Sequence, residues 1–371
     1  TVYKKKMLQA KQDYEKTPTK ALEKEIARCN NIQMARKIQL NSAYGAIGNQ
    51  YFRYYKLANA EAITLSGQVS IRWIENRMNG YLNKLLQTEG EDYVIASDTD
   101  SIYLNMGPLV DKFFSGKSGD KTAIVSILDK ICQDKLEPFI ERSYSDLANY
   151  VQAYEQKMIM KRENIAERGI WTAKKRYILN VWNSEGVQYS EPKLKMMGIE
   201  AVKSSTPAPC RQMIKDGLKL MMNGTEDDVI KFIDDCRVKF KSLPPEEIAF
   251  PRSVSDVVKY KSHSDIYAKG TPIHCRGALL FNHYIKEHKL TNKYSLISNG
   301  EKIKFIYLKK PNIIQENVIS FIQDFPKELG LDKYLDYDLQ FEKSFVEPLK
   351  AILDAIGWNV EKTVNLELFF A

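Results

Sequence analysis

Between Asp92 and Leu104 the chain runs Asp92-Tyr93-Val94-Ile95-Ala96-Ser97-Asp98-Thr99-Asp100-Ser101-Ile102-Tyr103-Leu104. Two stretches of β-branched and aromatic residues meet at a short polar break, which predicts a β-hairpin. Two aspartates one residue apart at a strand end project to the same side. Carboxylates about 4 Å apart repel by roughly 4 kcal/mol at an effective dielectric near 20. One of them must then hold a proton, or a cation must sit beside them. Oxygen-only ligands select Mg²⁺ or Mn²⁺. The same residues also suit an ordinary polar turn, and a metal-binding Asp-x-Asp occurs in enzymes that use nucleotide sugars. A calcium loop fits badly, because the sixth position from Asp98 would need Gly and holds Tyr103.

A length of 371 residues suggests two or three domains. The longest apolar runs are far too short to cross a bilayer, so no membrane partner is expected. The opening Thr1-Val2-Tyr3-Lys4-Lys5-Lys6 reads as neither a signal nor a transit peptide. It lacks an initiator Met and reads as the interior of a helix, as in part of a larger protein. The five cysteines contain no Cys-x-x-Cys pair, which points to reduced thiols and against a zinc site. A net charge of +8 together with 21 tyrosines suits a polyanionic partner.

Taken in order, residues 4–16 and about 20–43 predict two helices broken at Thr17-Pro18-Thr19, a projecting helical hairpin. Near the end of the second, Lys37, Asn41, Tyr44 and Gly48 recur at the spacing of one helical face. A cation, an amide, a phenol and bare backbone suit contact with a nucleotide, and Gly45 would let a flat ring approach closely. The alternative is a solvated helix end with Gly as its C-cap. Residues 61–86 predict a long helix with Ile71, Ile74, Met78, Leu82 and Leu85 as its core stripe. After a Gly/Ser/Lys-rich loop at 115–121 comes a helix of about 123–150. Lys174-Lys175-Arg176-Tyr177 leads a strand that turns at 183–186, and alternation places Lys175, Tyr177, Leu179 and Val181 on one face. That face suits a nucleic-acid backbone, or equally an edge strand guarded by lysines. Beyond Ser204-Ser205-Thr206-Pro207 the chain predicts helices at 208–222 and from the Thr225 cap to about Phe240. A mixed basic region follows, holding Arg252, Lys259, Lys261, Lys269, His274 and Arg276. A strand at 302–308 and a helix near 345–356 come next.

These motifs occur together and in one order. Lys37-x-x-x-Asn41-Ser42-x-Tyr44-Gly45, Asp98-Thr99-Asp100-Ser101 and Lys174-Lys175-Arg176-Tyr177 resemble the fingers motif, palm catalytic turn and primer-gripping strand of family B DNA polymerases. The chain is most similar to the C-terminal part of those from T4-type bacteriophages. Arg53-Tyr54-Tyr55, Asn59-Ala60-x-Ala62-Ile63-Thr64 and Lys193-Leu194-Lys195 match in type and place as well. The resemblance implies an α+β right-hand polymerase with an antiparallel-sheet palm, a helical fingers hairpin and a mixed, mainly helical thumb. Its divisions would be fingers at 1–48, palm at 49–195, thumb at 196–362 and a clamp-binding tail at 363–371.

The implied activity is template-directed transfer of a dNTP to a primer 3′-hydroxyl with two Mg²⁺ ions, Mn²⁺ being the alternative. Asp100 and Asp98 would be the catalytic and metal-binding acids, with Glu163 as a further palm acid. Lys161 stands two residues before Glu163, where the phage enzymes carry an acid. Lys4, Lys37, Asn41, Tyr44 and Gly45 would meet the nucleotide. Lys174, Lys175, Arg176, Tyr177, Lys193, Lys195 and Arg276 would meet primer–template DNA. Leu366, Phe369 and Phe370 would anchor a sliding clamp, with Thr363 where Gln is frequent. The resemblance places the protein in the cytoplasm of an infected bacterial cell. Departures are Ala96-Ser97 in place of the usual Tyr-Gly and the absence of the first palm motif, of the Arg expected before Lys4 and of the exonuclease signature. They imply either a polymerase divided between two polypeptides, this chain having an N-terminal polypeptide partner, or a sequence that is one part of a longer chain. The competing expectations are a non-catalytic DNA-binding subunit and an Asp-x-Asp nucleotide-sugar transferase.

Overall fold

The computed structural model describes residues 2–114, 120–262 and 265–361. The chain divides into two compact units, Thr1–Glu167 with Asn180–Lys193, and Arg168–Leu179 with Leu194–Ala371. Helices and antiparallel strands are mixed in an α+β arrangement.

The first unit opens with α1 (Val2–Lys16) and α2 (Lys20–Ile47), packed on each other around Met7, Ala10 and Cys29. Thr19 stops the chain between them. Its extended backbone (φ −135°) frees the hydroxyl to accept from the Leu22 amide at 3.3 Å, satisfying one orphan donor of α2. Gly45 lies inside α2, and the cap is Gly48. The next helix, α3 (Leu57–Leu86), buries Ile74, Met78, Leu82 and Leu86 along its second half. The expected stripe therefore ends on Leu86 rather than Leu85, which is exposed. The first half of α3 is different, leaving Leu57, Ile63, Leu65 and Val69 open to solvent.

Strands β1 (Val94–Asp98) and β2 (Ser101–Leu104) form the antiparallel pair expected at the acidic stretch. Asn79 of α3 fixes where it starts. Its side-chain oxygen accepts from the amides of Tyr93 and Val94 at 3.0 and 2.9 Å, and its amide nitrogen donates to Asp92. Helices α4 (Gly107–Phe114), α5 (Lys121–Ile131) and α6 (Glu137–Tyr150) pack Leu109, Leu128, Ile140, Tyr144 and Leu147 against α3. The single helix expected at 123–150 carries a π-turn at Cys132–Leu136, immediately before Glu137-Pro138. Proline lacks an N–H and its ring crowds the preceding turn, so a wider turn absorbs the misfit.

Strands β3 (Asn164–Ala173), β4 (Arg176–Ser184) and β5 (Val187–Met197) form a sheet in that order, and the division between the units falls within them. The second unit continues with α7 (Ala208–Asn223) and α8 (Glu226–Lys241), the latter opened by the expected capping box of Thr225 and Asp228. After the short α9 (Pro245–Ile248) and β6 (Phe250–Ser253) comes α10 (Ile273–Glu287), lying in the stretch expected to be a mixed basic region. Strands β7 (Lys302–Tyr307) and β8 (Val318–Phe321) pair antiparallel beside β6. Short helices α11 (Tyr337–Phe341) and α12 (Glu347–Leu353) close the unit over Phe240, Phe281, Phe321, Phe325, Phe341 and Phe345.

Helix α10 sits on β8 through bare backbone. A Cβ on Gly277 would come within 2.4 Å of the Ser320 hydroxyl and 2.9 Å of its amide nitrogen. The hydroxyl is already committed to the carbonyl of His274 at 3.0 Å. Gly277→Ala is expected to destabilise the second unit by about 1–3 kcal/mol through overpacking, although alanine favours helix. Chemical denaturation of the two proteins measures this, and unchanged stability would show that the helix and strand can move apart freely.

Candidate active site

The acidic turn sits at the tip of the β1–β2 hairpin. Asp98 pairs with Ser101, leaving Thr99 and Asp100 as the two turn residues. Strand alternation therefore governs Asp98 alone, which corrects the expectation that both acids project from one strand. Thr99 adopts φ 51°, a region a β-branched residue rarely occupies, and its hydroxyl donates to Asp98 Oδ1 at 3.0 Å. Asp98 is partly buried and Asp100 is exposed. Non-glycine residues held in such conformations cluster at functional turns.

Among the described residues no group of three His, Cys, Asp or Glu side chains is placed to hold a metal ion. Glu163 thus does not complete a three-acid set with Asp98 and Asp100. Its exposed residue lies just before β3, and its carbonyl accepts from the amide of Glu185. The two acids still fit one mode of Mg²⁺ binding, in which one or two carboxylates share the ion with water and substrate phosphates.

On α2, Lys37, Asn41 and Tyr44 are exposed along one face, and nothing lies within 4 Å of a Cβ built on Gly45. Lys4 is committed differently. Its ammonium lies 2.7 Å from Glu185, in the turn between β4 and β5. Beside it, Gln12 donates to the carbonyl of Gly186, and Lys193 pairs with Glu15 while lying 4.0 Å from the Tyr189 ring centre.

In the second unit the expected Lys/Tyr strand face needs correction. Lys174 and Lys175 form the turn before β4, with Lys175 at φ 62°, and Tyr177 is buried. Successive residues 177–181 are all buried, so one face of this strand does not stand open. Arg176 donates to both oxygens of Glu200 at 2.9 and 2.7 Å, and Lys203 reaches the same carboxylate at 2.9 Å. Burial pushes the Glu200 pKa up, but the hydrogen bonds from Arg176 and Lys203 outweigh it and hold it at about 2. A folded-state pKa below the ordinary value of 4.5 contributes stability that is present above that value. It is lost as pH falls through 4.5 towards 2. Glu200→Gln is expected to be less stable at neutral pH and to flatten the acid limb over that window. Denaturation at a series of pH values measures it, and parallel acid limbs would contradict the pairing.

Lys195 is partly buried on β5. Arg276, on α10, donates to Asn317 at 2.5 Å and lies 5.7 Å from the Tyr267 ring centre, so it is packed into the unit. The tail residues Leu366, Phe369 and Phe370 lie outside the described residues. All five cysteines are free.

A family model described as DNA polymerase family B matches residues 3–123, a span that includes Lys4, the α2 face and both hairpin acids. The DNA-directed DNA polymerase of Escherichia phage RB69 is 35% identical over 376 residues, covering 96% of this chain and 41% of that protein. The DNA-directed DNA polymerase of Enterobacteria phage T4 is 32% identical over 360 residues, covering 94% and 40%. The chain is thus similar to DNA polymerase family B, through the family model at its start and through these phage relatives along nearly all of its length. It spans about two fifths of the length of these relatives. Enzymes of this family use divalent metal ions, in keeping with the oxygen donors of the hairpin. No helix among the described residues is long and apolar enough to cross a membrane.

Proposed function

We propose that this chain is the fingers-end, palm and thumb portion of a right-hand replicative DNA polymerase, acting with a polypeptide that supplies the remainder. The observation that carries the reading is the Asp98-Thr99-Asp100 hairpin tip, strained at Thr99 and lying inside the family match. In this reading the palm is built on α3, the β1–β2 hairpin and β3–β5, the fingers are α1 and α2, and the thumb follows β5.

Asp100 and Asp98 are the residues that would hold the two Mg²⁺ ions of the reaction. When bound, the ions supply charge neutralisation at the reacting phosphate and lower the pKa of the primer 3′-hydroxyl. Lys37 binds the incoming triphosphate, a cation on an exposed helix face beside Asn41 and Tyr44, which line the nascent base pair. Gly45 leaves room for the templating base. Lys4 belongs to the same face of the chemistry only after exchanging Glu185 for phosphate, an ion-pair swap between a half-exposed ammonium and a partly buried carboxylate. Lys174, Lys175 and Lys195 follow the DNA backbone. The tail at 363–371 engages a sliding clamp, and the whole acts in the cytoplasm of the infected host.

The partner is the rest of the polymerase, with its exonuclease and first palm motif. Supporting it are the exposed Leu57, Ile63, Leu65 and Val69 on α3 and the two-stranded β1–β2 sheet with Ile95 half exposed. The hairpin packs on α3 yet leaves Ile95 half exposed, and apolar surface of this kind marks an interface.

Titration of the chain with primer–template DNA tests the substrate class. Nanomolar to micromolar binding that weakens steeply with salt is expected, because phosphate contacts release counterions. Binding to a nucleotide sugar and none to DNA would replace this reading with the transferase.

A further inference from the structure

The second unit holds a cavity of about 370 Å³ whose charged lining is Arg176, Lys203, Arg252, Lys343, Glu200 and Glu347. These residues come from the start of β4, the segment after β5, β6 and the helical run that enters α12. Nothing local in the sequence links them, since they are spread from position 176 to position 347.

Three of the four cations already have carboxylate partners. Arg176 and Lys203 share Glu200, and Lys343 pairs with Glu347 one helical turn on. Arg252 has none among the described residues. Its Nη1 reaches only the backbone carbonyls of Ser205 and Pro251, both at 3.3 Å. Its positive charge is felt next door: burial, and then Arg252, push the His274 pKa down. Four cations thus face two carboxylates, and the Arg252 guanidinium commits only its Nη1, to neutral backbone carbonyls. Arg176 also retains N–H groups beyond the two that Glu200 takes. Thr206, buried in the same wall, and Ser205 add neutral polar groups.

We propose that this cavity is a binding site for a multiply charged phosphoryl group, with Arg252 as its anchor and Arg176, Lys203 and Lys343 completing the cationic wall. Guanidinium forks match the oxygens of phosphate in pairs, which ammonium groups alone do not. The volume admits a pyrophosphate or the phosphates of one nucleotide, more than a single carboxylate needs. The charge excess calls for an anion of at least two charges. Two sources carry that chemistry, a free pyrophosphate or nucleotide and a backbone phosphate of nucleic acid.

Calorimetric titration of the full chain with inorganic pyrophosphate at low salt tests the site, and it contains no DNA. Its failure and failure of the polymerase reading are therefore separable. One site is expected. Arg252→Gln should weaken it at least tenfold, Arg252→Lys less, and Lys343→Gln, which leaves Glu347 uncompensated, in the same direction. Lys231→Gln, on the exposed surface of α8, should leave it within twofold. Equal pyrophosphate affinity in the wild type and in both Arg252→Gln and Lys343→Gln, or no binding by the wild type, would overturn the proposal. Melting curves identify any variant that fails to fold, and the remaining one then decides. A second arm follows duplex DNA binding against salt. A slope reduced by about one in Arg252→Gln assigns a backbone phosphate to the cavity, and an unchanged slope with lost pyrophosphate binding assigns a free anion.

Discussion

Asp100→Ala is expected to abolish nucleotide addition by the assembled enzyme while leaving its affinity for duplex DNA intact. The carboxylate is exposed at the apex of a two-residue turn and holds no part of the core. Its removal should therefore cost little stability. What it removes is half of the acidic donor set of the hairpin. Asp98 cannot replace it, because Asp98 ends β1, is partly buried and accepts the Thr99 hydroxyl. In its proposed role the lost charge would meet the reacting phosphate, and such a loss costs ~4 kcal/mol or more of transition-state stabilisation, about a thousandfold in rate. DNA affinity should stay level or rise slightly, since one negative charge leaves a surface that faces phosphates. Extension rates and fluorescence anisotropy on the same preparation measure the two effects. Extension near the wild-type rate would remove Asp100 from the chemistry.

The second large effect concerns the chain by itself. Purified without the proposed partner, it is expected to bind primer–template DNA and to extend it at background. Two acids are all that the hairpin offers, and no third His, Cys, Asp or Glu joins them among the described residues. A pair of divalent ions then lacks a shared protein ligand, and the clamp on an in-line displacement is incomplete. The β1–β2 pair is also a sheet of only two strands beside a half-stripped helix, with Leu65 57% exposed and Ile95 50% exposed. A polypeptide that adds strands beside the hairpin would bury that surface, so it should associate tightly. Sedimentation of the mixed polypeptides measures that association.

The parts of the fold that were legible in the sequence are those whose signals are local. The β1–β2 hairpin follows from two β-branched runs around a polar turn. The break between α1 and α2 follows from Thr17-Pro18-Thr19, and the start of α8 from Thr225 and Asp228. Elements whose reasons lie elsewhere in the chain were not legible. Strand β3 is interrupted in sequence by Glu167-Arg168-Gly169. A Cβ on Gly169 would lie 2.6–2.8 Å from Trp171 and Leu179, so the glycine serves packing rather than a turn. Helix α10 is masked by basic residues and by Gly277, which is there for the close approach of β8. The Lys175/Tyr177 face was misread because alternation presumes one wet side, and β4 is buried on both. At the site, the paired acids and the Lys37 helix face were visible as spacing. Glu200 and the cavity around Arg252 were not, because their residues meet only through the tertiary fold.

The most direct test of the account is primer extension with Mg²⁺ by three preparations: this chain alone, the chain with the polypeptide carrying the rest of the polymerase, and that pair with Asp100→Ala in this chain. Background, restored synthesis and background again are the expected results. Robust extension by the chain alone that Asp100→Ala abolishes would show the site to be complete without a partner. Synthesis by the pair that survives Asp100→Ala would show that the hairpin acids do not carry the reaction.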